Sequence, residues 1–292
     1  RSRPPHEDQS PPTATFREYN AKIRQMQNMR RVTPAMKMLS TTKLARAQEA
    51  MGRAQAFERQ WSGLVHMVAG QGSGLRDPLM KLRESPESAF VLMVSSDMGL
   101  CGGFNNNLNR TVSGWLAEHR EKFRILRFGF CGRKGYQFAR DRVEVRSFYE
   151  DSVRRPDFRL AQRIGQEIFE TYAEGKYDEV YLARNRYFGP LWQEPVVERI
   201  LPVDLDAAPP SAEGHSGFVL MEPRPERLLP RLLAQHVGYR IFAALLENSS
   251  GEHAARMAAM DSASKNIDSL CGTYTLLRNR ARQASMTTEL IE

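Results

Sequence analysis

The feature that most constrains the fold is a run of apolar and small residues near the carboxyl end, spaced alternately by three and by four. The seam comprises Met260, Ala263, Ile267, Leu270, Tyr274, Leu277, Ala281, Ala284, Thr288 and Ile291. A seven-residue repeat kept over this length is typical of a helix that supercoils with a second helix. The sequence therefore predicts a long C-terminal helix that packs against a helical partner.

A second long amphipathic helix is predicted near the amino end, beginning at a capping box in Thr15–Glu18. Its apolar stripe comprises Phe16, Tyr19, Ile23, Met26, Met29, Val32, Met36, Leu39, Ala47, Met51, Ala54 and Phe57. The register slips near residues 26–36 and 39–47, which predicts local unwinding of the supercoil. Pro34 lacks a backbone donor, so a kink is also predicted around residues 30–34.

Between the two helices, apolar runs alternate with helical patterns. Strands are predicted at 89–94, 124–130, 143–148, 178–185, 194–202 and 218–221, and helices at 104–119, 133–140 and 157–174. This alternation favours an α/β domain with a mainly parallel sheet. The predicted fold class is α/β, with a long antiparallel coiled coil of N- and C-terminal helices flanking a Rossmann-like α/β domain.

The predicted parts are a disordered lead at 1–14, an N-terminal shaft helix at 15–70, an α/β foot domain at 76–222 and a C-terminal shaft helix at 225–292. At 1.5 Å per residue the two helices would be roughly 80 and 100 Å long. A domain of about 145 residues is only some 30–40 Å across. We therefore expect the helices to extend beyond the domain and to pair antiparallel, because they flank one insertion.

Charge and composition limit the possible functions. The 292-residue chain has a net charge of +8, and residues 16–60 alone hold ten Lys or Arg against three Glu. That N-terminal segment suits a negatively charged partner or surface. No stretch reaches 18 consecutive apolar residues, so a membrane-spanning helix is excluded.

Local motifs give little support for catalysis or for a bound cofactor. Gly99, Gly102 and Gly103 follow a predicted strand with the spacing G-x-x-G-G, which differs from the dinucleotide fingerprint, so a tight turn or a contact surface is favoured over a nucleotide site. Cys101 has no adjacent basic residue and is interpreted as a packed thiol. The six histidines show no spacing typical of metal ligands. We expect no catalytic residue, no cofactor and no metal.

Two other classes of protein remain open from the residues alone. A coiled-coil protein that binds nucleic acid would suit the basic charge, but no dense basic run or known nucleic-acid motif is present. A Rossmann-type enzyme with helical arms would need an acid–base pair or a nucleophile motif, and neither is found. On charge and spacing alone, the arginines at 278–282 are more often a solvated helix face than a partner contact.

Three stretches resemble the gamma subunit of F-type ATP synthases. They are AMKMLSTTKLARAQ at 35–48, SSDMGLCGGFN at 95–105, and AARMAAMD at 254–261 followed by LRNRARQA at 277–284 and TEL at 288–290. The order of these stretches matches from residue 16 onward. Pro34 departs from the family, whose members usually carry another residue there.

The resemblance implies a non-catalytic rotor shaft that couples hydrogen ion transport through the c ring to ATP synthesis in the hexamer of alpha and beta subunits. The implied beta-subunit contacts are Met36, Lys37, Lys43, Arg278, Arg282, Gln283 and Thr287. The other implied partners are delta- or epsilon-type rotor subunits and the c ring, with no nucleic acid and with membrane attachment only through the c ring.

The location is predicted to be the matrix side of the mitochondrial inner membrane. A mitochondrial origin is favoured over a bacterial one mainly by the Arg- and Pro-bearing lead, which processing of a targeting segment would explain, as would a sequence that covers only part of the protein. A chloroplast gamma subunit would usually carry an inserted regulatory segment with a cysteine pair, and no such pair is found.

Overall fold

The computed structural model describes residues 15–71, 83–203, 222 and 224–291. The predicted lead at 1–14 and the predicted strand at 218–221 lie outside these residues. The chain divides into two compact units. We call Arg1–Leu39 with Ala259–Glu292 the helical unit, and Ser40–Ala258 the α/β unit.

The elements follow the predicted order. The helices are α1 (Phe16–Gln71), α2 (Phe104–His119), α3 (Arg133–Ala139), α4 (Phe158–Ala173) and α5 (Pro225–Ile291). The strands are β1 (Ser88–Val94), β2 (Ile125–Cys131), β3 (Glu144–Tyr149), β4 (Glu179–Gly189) and β5 (Trp192–Leu201). None of the helices in the described ranges combines the length and the apolar character that crossing a bilayer requires.

Helix α1 begins with the predicted capping box. The backbone N–H of Thr15 donates to Glu18 Oε2 over 2.7 Å, and the N–H of Glu18 donates to Thr15 Oγ1 over 3.4 Å. The helix continues through Pro34, next to which the Thr33 hydroxyl donates to the Met29 carbonyl over 3.2 Å. The kink near Pro34 stays a prediction.

The strands form one sheet in the order β3-β2-β1-β4-β5. Strands β3, β2, β1 and β4 are parallel to their neighbours, and β5 pairs antiparallel with β4. Every residue of β1 is buried, as expected for a central parallel strand covered on both faces. The predicted mainly parallel α/β sheet is confirmed.

Helices cover both faces of the sheet. One core packs residues of α1, α4 and α5 against the sheet, among them Val65, Ile164 and Leu233. A second core packs α2 against the other face, including Leu108 and Val112. Helices α4 and α5 approach so closely that a Cβ added at Gly165 would lie 2.6 Å from the Gly238 backbone.

The residues buried along α1 differ from the predicted apolar stripe. Met29, Val32 and Leu39 are 43%, 54% and 62% exposed, whereas Thr33 and Ser40 are buried. The face that begins at Ile23 keeps an unbroken three-and-four spacing through Ile23, Met26, Arg30, Thr33, Lys37, Ser40, Leu44 and Ala47. The predicted stripe was therefore wrong at Met29, Val32 and Leu39, whereas local unwinding near residues 26–36 and 39–47 stays a prediction.

The seam of α5 is also only partly as predicted. Met260 and Ile267 are buried, but Leu270 is 40% exposed. Ser264 faces α1 instead, since its hydroxyl donates to Thr33 Oγ1 over 3.0 Å. A two-helix seam that is small and polar at these positions could not be recognised by following apolar residues alone.

Candidate functional site

In the helical unit, α1 and α5 pair antiparallel through polar contacts. Lys37 Nζ lies 2.5 Å from Asp261 Oδ1, and Arg30 Nε lies 3.0 Å from Asp268 Oδ1. Nearer the start of α1, the rings of Tyr19 and Tyr274 are 6.4 Å apart. Residue numbers fall along α5 as they rise along α1, so the predicted antiparallel pairing is confirmed.

Asp261 is the most strongly perturbed acid of this helix pair. Hydrogen bonds from Lys37 and then from Lys265 lower its pKa to about 2. The carboxylate is flanked by one lysine from α1 and one from α5. Lys37 is therefore already engaged within the chain, although an ammonium group has three donors and can also face a partner.

The contact residues predicted on α1 lie in two different environments. Met36 is half-buried and Lys37 is exposed, and both belong to the helical unit. Lys43 is exposed and belongs to the α/β unit. There it lies near enough to Glu252 and His253 to influence their pKa values.

The contact residues predicted on α5 form a separate group near its carboxyl end. Arg278 donates to the Asn279 side-chain oxygen over 3.1 Å, and the Thr287 hydroxyl donates to the Gln283 carbonyl over 2.9 Å. Arg282 and Gln283 are exposed. Asp261 precedes Arg278 by 17 residues, or about 25 Å along the helix, so the structure does not bring this group together with Lys37.

Exposed apolar side chains accompany these polar residues, and the sequence interpretation missed them. Besides Met29, Val32 and Leu39, Met38 of α1 is 73% exposed. On α5, Leu276 and Met286 are 65% and 55% exposed. Exposed apolar side chains indicate a contact with another protein where they form a contiguous patch, whereas single ones are common on any surface. The signal available in the sequence was that the apolar stripe of α1 departs from the seven-residue repeat, which leaves some of its residues outside the seam.

In the α/β unit, α5 is joined to the glycine-rich loop that follows β1. Arg256 donates to the Gly99 carbonyl from Nη2 over 3.1 Å and from Nε over 3.3 Å. The Asn248 side-chain amide donates to the Ser95 carbonyl over 3.1 Å. Between them, Gly251 lets the helix approach Phe104, since a Cβ there would lie 2.8 Å from the ring. The loop motif and the AARMAAMD motif meet at this junction.

Burial sets the electrostatics of the junction. Arg256 Nη2 lies 2.6 Å from Glu252 Oε1, and both side chains are at most 10% exposed. Burial raises the pKa of Glu252, although Arg256 opposes this. Burial, followed by the positive charges of Arg256 and Lys43, lowers the pKa of His253 to about 4. The junction therefore contains the buried Arg256–Glu252 pair beside the His253 imidazole, which is uncharged at neutral pH.

The junction lies where a doubly wound sheet usually binds a ligand, at the carboxyl end of β1 next to β4. Here protein atoms engage the loop: Asn105 Oδ1 accepts from the Ser96 N–H over 3.2 Å, and the Ser95 and Gly99 carbonyls accept from α5. The loop thus serves as a docking point for the helix. Within the described ranges, no three His, Cys, Asp or Glu side chains converge as metal ligands would.

A second polar cluster joins α5 to the edge of the sheet. Arg184 of β4 pairs with Glu247 of α5 and, over 2.7 Å, with Glu198 of β5. Glu198 also lies 3.2 Å from Arg240 of α5. Burial opposes ionisation of Glu198, but Arg184 and then Arg240 outweigh it and lower its pKa. The sequence signal was Arg184 directly after the apolar run at 180–183 of one strand.

Comparison with known proteins agrees with this architecture. A family model described as ATP synthase matches residues 15–292. The ATP synthase gamma chain of Geobacter metallireducens is 36% identical over 279 residues, covering 96% of each chain. That of Anaeromyxobacter sp. strain Fw109-5 is 35% identical over 282 residues, covering 95% of this chain and 96% of the other.

Two solved structures have a similar fold at lower identity. The rotor of the Euglena gracilis mitochondrial ATP synthase aligns with a TM-score of 0.61 and 17% identity, covering 93% of this chain and 98% of that one. The central stalk and c ring structure of the Tetrahymena thermophila mitochondrial ATP synthase aligns with a TM-score of 0.58 and 22% identity, covering 80% of this chain and 99% of that one.

A parallel α/β unit with long antiparallel terminal helices is thus the fold found in the central stalks of ATP synthases. Because the chain has this fold, matches the family model and has relatives more than 30% identical, it belongs to the gamma-chain family of ATP synthases. It is a non-catalytic component of that enzyme, as the resemblance implied. The predicted mitochondrial origin gains no support from the gamma chains compared above, which are bacterial.

Proposed function

We propose that the chain is the rotor shaft that couples rotation of a c ring to conformational cycling of a hexamer of alpha and beta subunits. The observation that carries this proposal is that one helix, α5, belongs to both compact units. In one unit α5 is held by Arg256, Asn248 and the Arg184 cluster, and in the other it pairs with α1. Torque applied to the α/β unit can therefore pass to α5 through the buried polar contacts that hold α5 in this unit, and then along the continuous backbone of α5 into the helix pair.

The predicted division of the chain is proposed as a division of labour. Residues 15–70 and 225–292 would be the shaft, and residues 76–222 would be the foot, which contacts the c ring and a delta- or epsilon-type rotor subunit. Membrane attachment would be peripheral, through the c ring. The mitochondrial inner membrane and its matrix side remain the prediction made from the lead at 1–14.

Two groups of residues are proposed to contact beta subunits. The group on α1 is Met36, Lys37 and Lys43, and the group on α5 is Arg278, Arg282, Gln283 and Thr287. The exposure of Arg282 and Gln283 supports the second group, because exposed guanidinium and amide donors can make charge-assisted hydrogen bonds to acidic loops. The separation of about 25 Å along the helix suggests that the groups meet different parts of the hexamer.

Co-assembly tests the proposal. This chain is mixed with alpha and beta subunits of a bacterial synthase, and the complex is isolated and its composition measured. We expect one copy per three alpha and three beta subunits. Failure to form that complex, with a folded chain and with a cognate gamma chain assembling in parallel, would refute the proposal.

The α5 contacts are tested in the assembled complex. Arg282→Ala with Gln283→Ala should leave the fold unchanged, because both side chains are exposed, and should lower ATP-driven torque or ATP synthesis. Ser269→Ala, also exposed on α5, is the matched control and should have no effect. Unchanged synthesis in the double variant would contradict the assignment of these two residues.

A further inference from the structure

A cavity of about 260 Å³ opens at the amino end of β2 and β3, on the opposite edge of the sheet from the α5 junction. Arg120 at the end of α2, Arg124 before β2 and Arg142 before β3 all line it, over an apolar floor that includes Phe123. Glu144 is its one acidic lining residue. Three guanidinium groups therefore share a small recess with one carboxylate.

The carboxylate does not neutralise these arginines. Glu144 Oε1 accepts from Arg127 Nε over 2.6 Å, so its charge already has a partner outside the cavity lining. Arg124 reaches Glu87 only over 3.4 Å, with both side chains more than two-thirds exposed. Such an exposed pair contributes little and is readily exchanged.

The other two arginines have no acidic partner in the part of the chain that the structure describes. The Arg142 guanidinium lies over the Phe138 ring at 4.5 Å, a contact that orients the group and leaves its edge donors available. Arg120 extends from the C-cap of α2 and is exposed. The cavity thus combines the oriented guanidinium of Arg142 with the exposed Arg120 and with Arg124, whose exposed pair with Glu87 can be exchanged for a ligand.

A neighbouring cavity shows the contrast. It has a volume of about 480 Å³, and the cations that line it are Arg83, Arg127, Lys176 and Arg124, the last of which lines both cavities. Each of these cations is paired with a carboxylate: Arg83 with Asp178, Arg127 with Glu144, Lys176 with Glu174, and Arg124 with Glu87. Among the described residues, the cations without a carboxylate partner, Arg120 and Arg142, therefore line only the smaller cavity.

We propose that Arg120, Arg124 and Arg142 form a binding site for a phosphate-bearing anion, either inorganic phosphate or the phosphate of a lipid headgroup. Guanidinium forks match the oxygens of phosphate with paired hydrogen bonds, and three forks suit an anion with several equivalent oxygens. The volume lies just below the usual range of pockets for drug-sized ligands, which fits a single phosphate group. The proposal goes beyond the rotor function and does not depend on it.

Calorimetric titration of the full chain with inorganic phosphate, at ionic strength held constant with sodium chloride, tests the proposal. Constant ionic strength separates a specific site from general screening of a basic protein. We expect saturable binding of one phosphate per chain. Arg120→Gln with Arg142→Gln should weaken it at least tenfold.

A charge-matched control removes two cations elsewhere. Lys176→Gln with Arg53→Gln breaks two exposed ion pairs outside the cavity, and should change phosphate affinity by less than twofold. Because Arg142 also packs on Phe138, Arg120→Gln alone is included, with an expected loss of at least threefold and an unchanged circular dichroism spectrum.

Flotation with vesicles distinguishes the two sources of phosphate. Binding to vesicles of phosphatidylglycerol and phosphatidylcholine, but not to phosphatidylcholine alone, with loss in the Arg120/Arg142 variant, would assign the site to a lipid headgroup. Phosphate binding without vesicle binding would assign it to the free anion. The proposal is overturned if the chain binds neither phosphate nor the anionic vesicles. It is also overturned if Lys176→Gln with Arg53→Gln weakens binding as much as Arg120→Gln with Arg142→Gln does.

Discussion

The junction between α5 and the loop after β1 makes a quantitative prediction about Arg256. Replacing Arg256 by Met removes both hydrogen bonds to the Gly99 carbonyl and leaves the Glu252 carboxylate buried without its partner. Breaking a buried ion pair from one side typically costs about 3–5 kcal/mol. We expect the free energy of unfolding of the α/β unit to fall by that amount.

The matched control is an exposed pair of the same spacing. Arg53 and Glu49 are also four residues apart on a helix, but both side chains are about 70% exposed. Arg53→Met should cost less than about 1 kcal/mol. Combining Arg256→Met with Glu252→Gln should recover part of the loss, because the remaining buried group is then uncharged.

Urea unfolding followed by tryptophan fluorescence measures these differences. All three tryptophans, Trp61, Trp115 and Trp192, belong to the α/β unit, so the signal reports that unit. By the usual scaling for domains of this size, the melting temperature should fall by roughly 6–20 °C. A loss for Arg256→Met no larger than that for Arg53→Met would refute the view that this ion pair holds α5 to the loop.

Two further predictions concern packing and pH. Gly165→Ala should destabilise the α/β unit by about 1–3 kcal/mol, since the new methyl group would meet the Gly238 backbone of α5. Gly114→Ala in α2, where the new methyl group meets nothing within 4 Å, should instead stabilise the unit by about 0.5–1 kcal/mol. Thermal melts compare the two variants, and equal effects would contradict the close contact between α4 and α5. The lowered pKa of Asp261 means that its contribution to the helix pair is present above its ordinary value of 3.8 and is lost as the pH falls towards about 2. Helix content measured by circular dichroism between pH 5 and 2 should therefore fall more in the unmodified chain than in Asp261→Asn, and identical profiles would show that the contact with Lys37 does not stabilise the pair.

Periodicity was sufficient to predict most elements of the α/β unit. Helix α2 was predicted at 104–119 and is observed at Phe104–His119, because its apolar face and the glycines before it are both local signals. The continuous apolar run of β1 likewise predicted a strand buried on both faces. These features depend on residues close together in the sequence.

The polar contacts could not be predicted because they join distant residues. The pairing of Arg184 with Glu247 spans 63 positions, and that of Lys37 with Asp261 spans 224. Between α1 and α5, Thr33 and Ser264 contact each other at the seam. A pattern of apolar residues alone assigns these seam positions to the apolar residues beside them. The resemblance to a family supplied the function, whereas the residues alone left a nucleic-acid-binding protein and an enzyme open.

The contacts proposed with beta subunits remain predictions of the resemblance. The structure places Arg282 and Gln283 on an exposed surface and pairs Lys37 with Asp261. It also adds Met38, Leu276 and Met286 as exposed apolar candidates. A partner that contacts these helices would therefore meet both cationic and apolar side chains.

Single-molecule rotation tests the central claim most directly. A complex of this chain with alpha and beta subunits is fixed to a surface through the beta subunits, and a probe is attached to the α/β unit at an exposed position such as Glu118. With MgATP, we expect continuous rotation of the probe in one direction, in three main steps per turn. A stationary probe in a complex that hydrolyses ATP would contradict the account, because it would mean that the α/β unit and α5 are not driven by the hexamer.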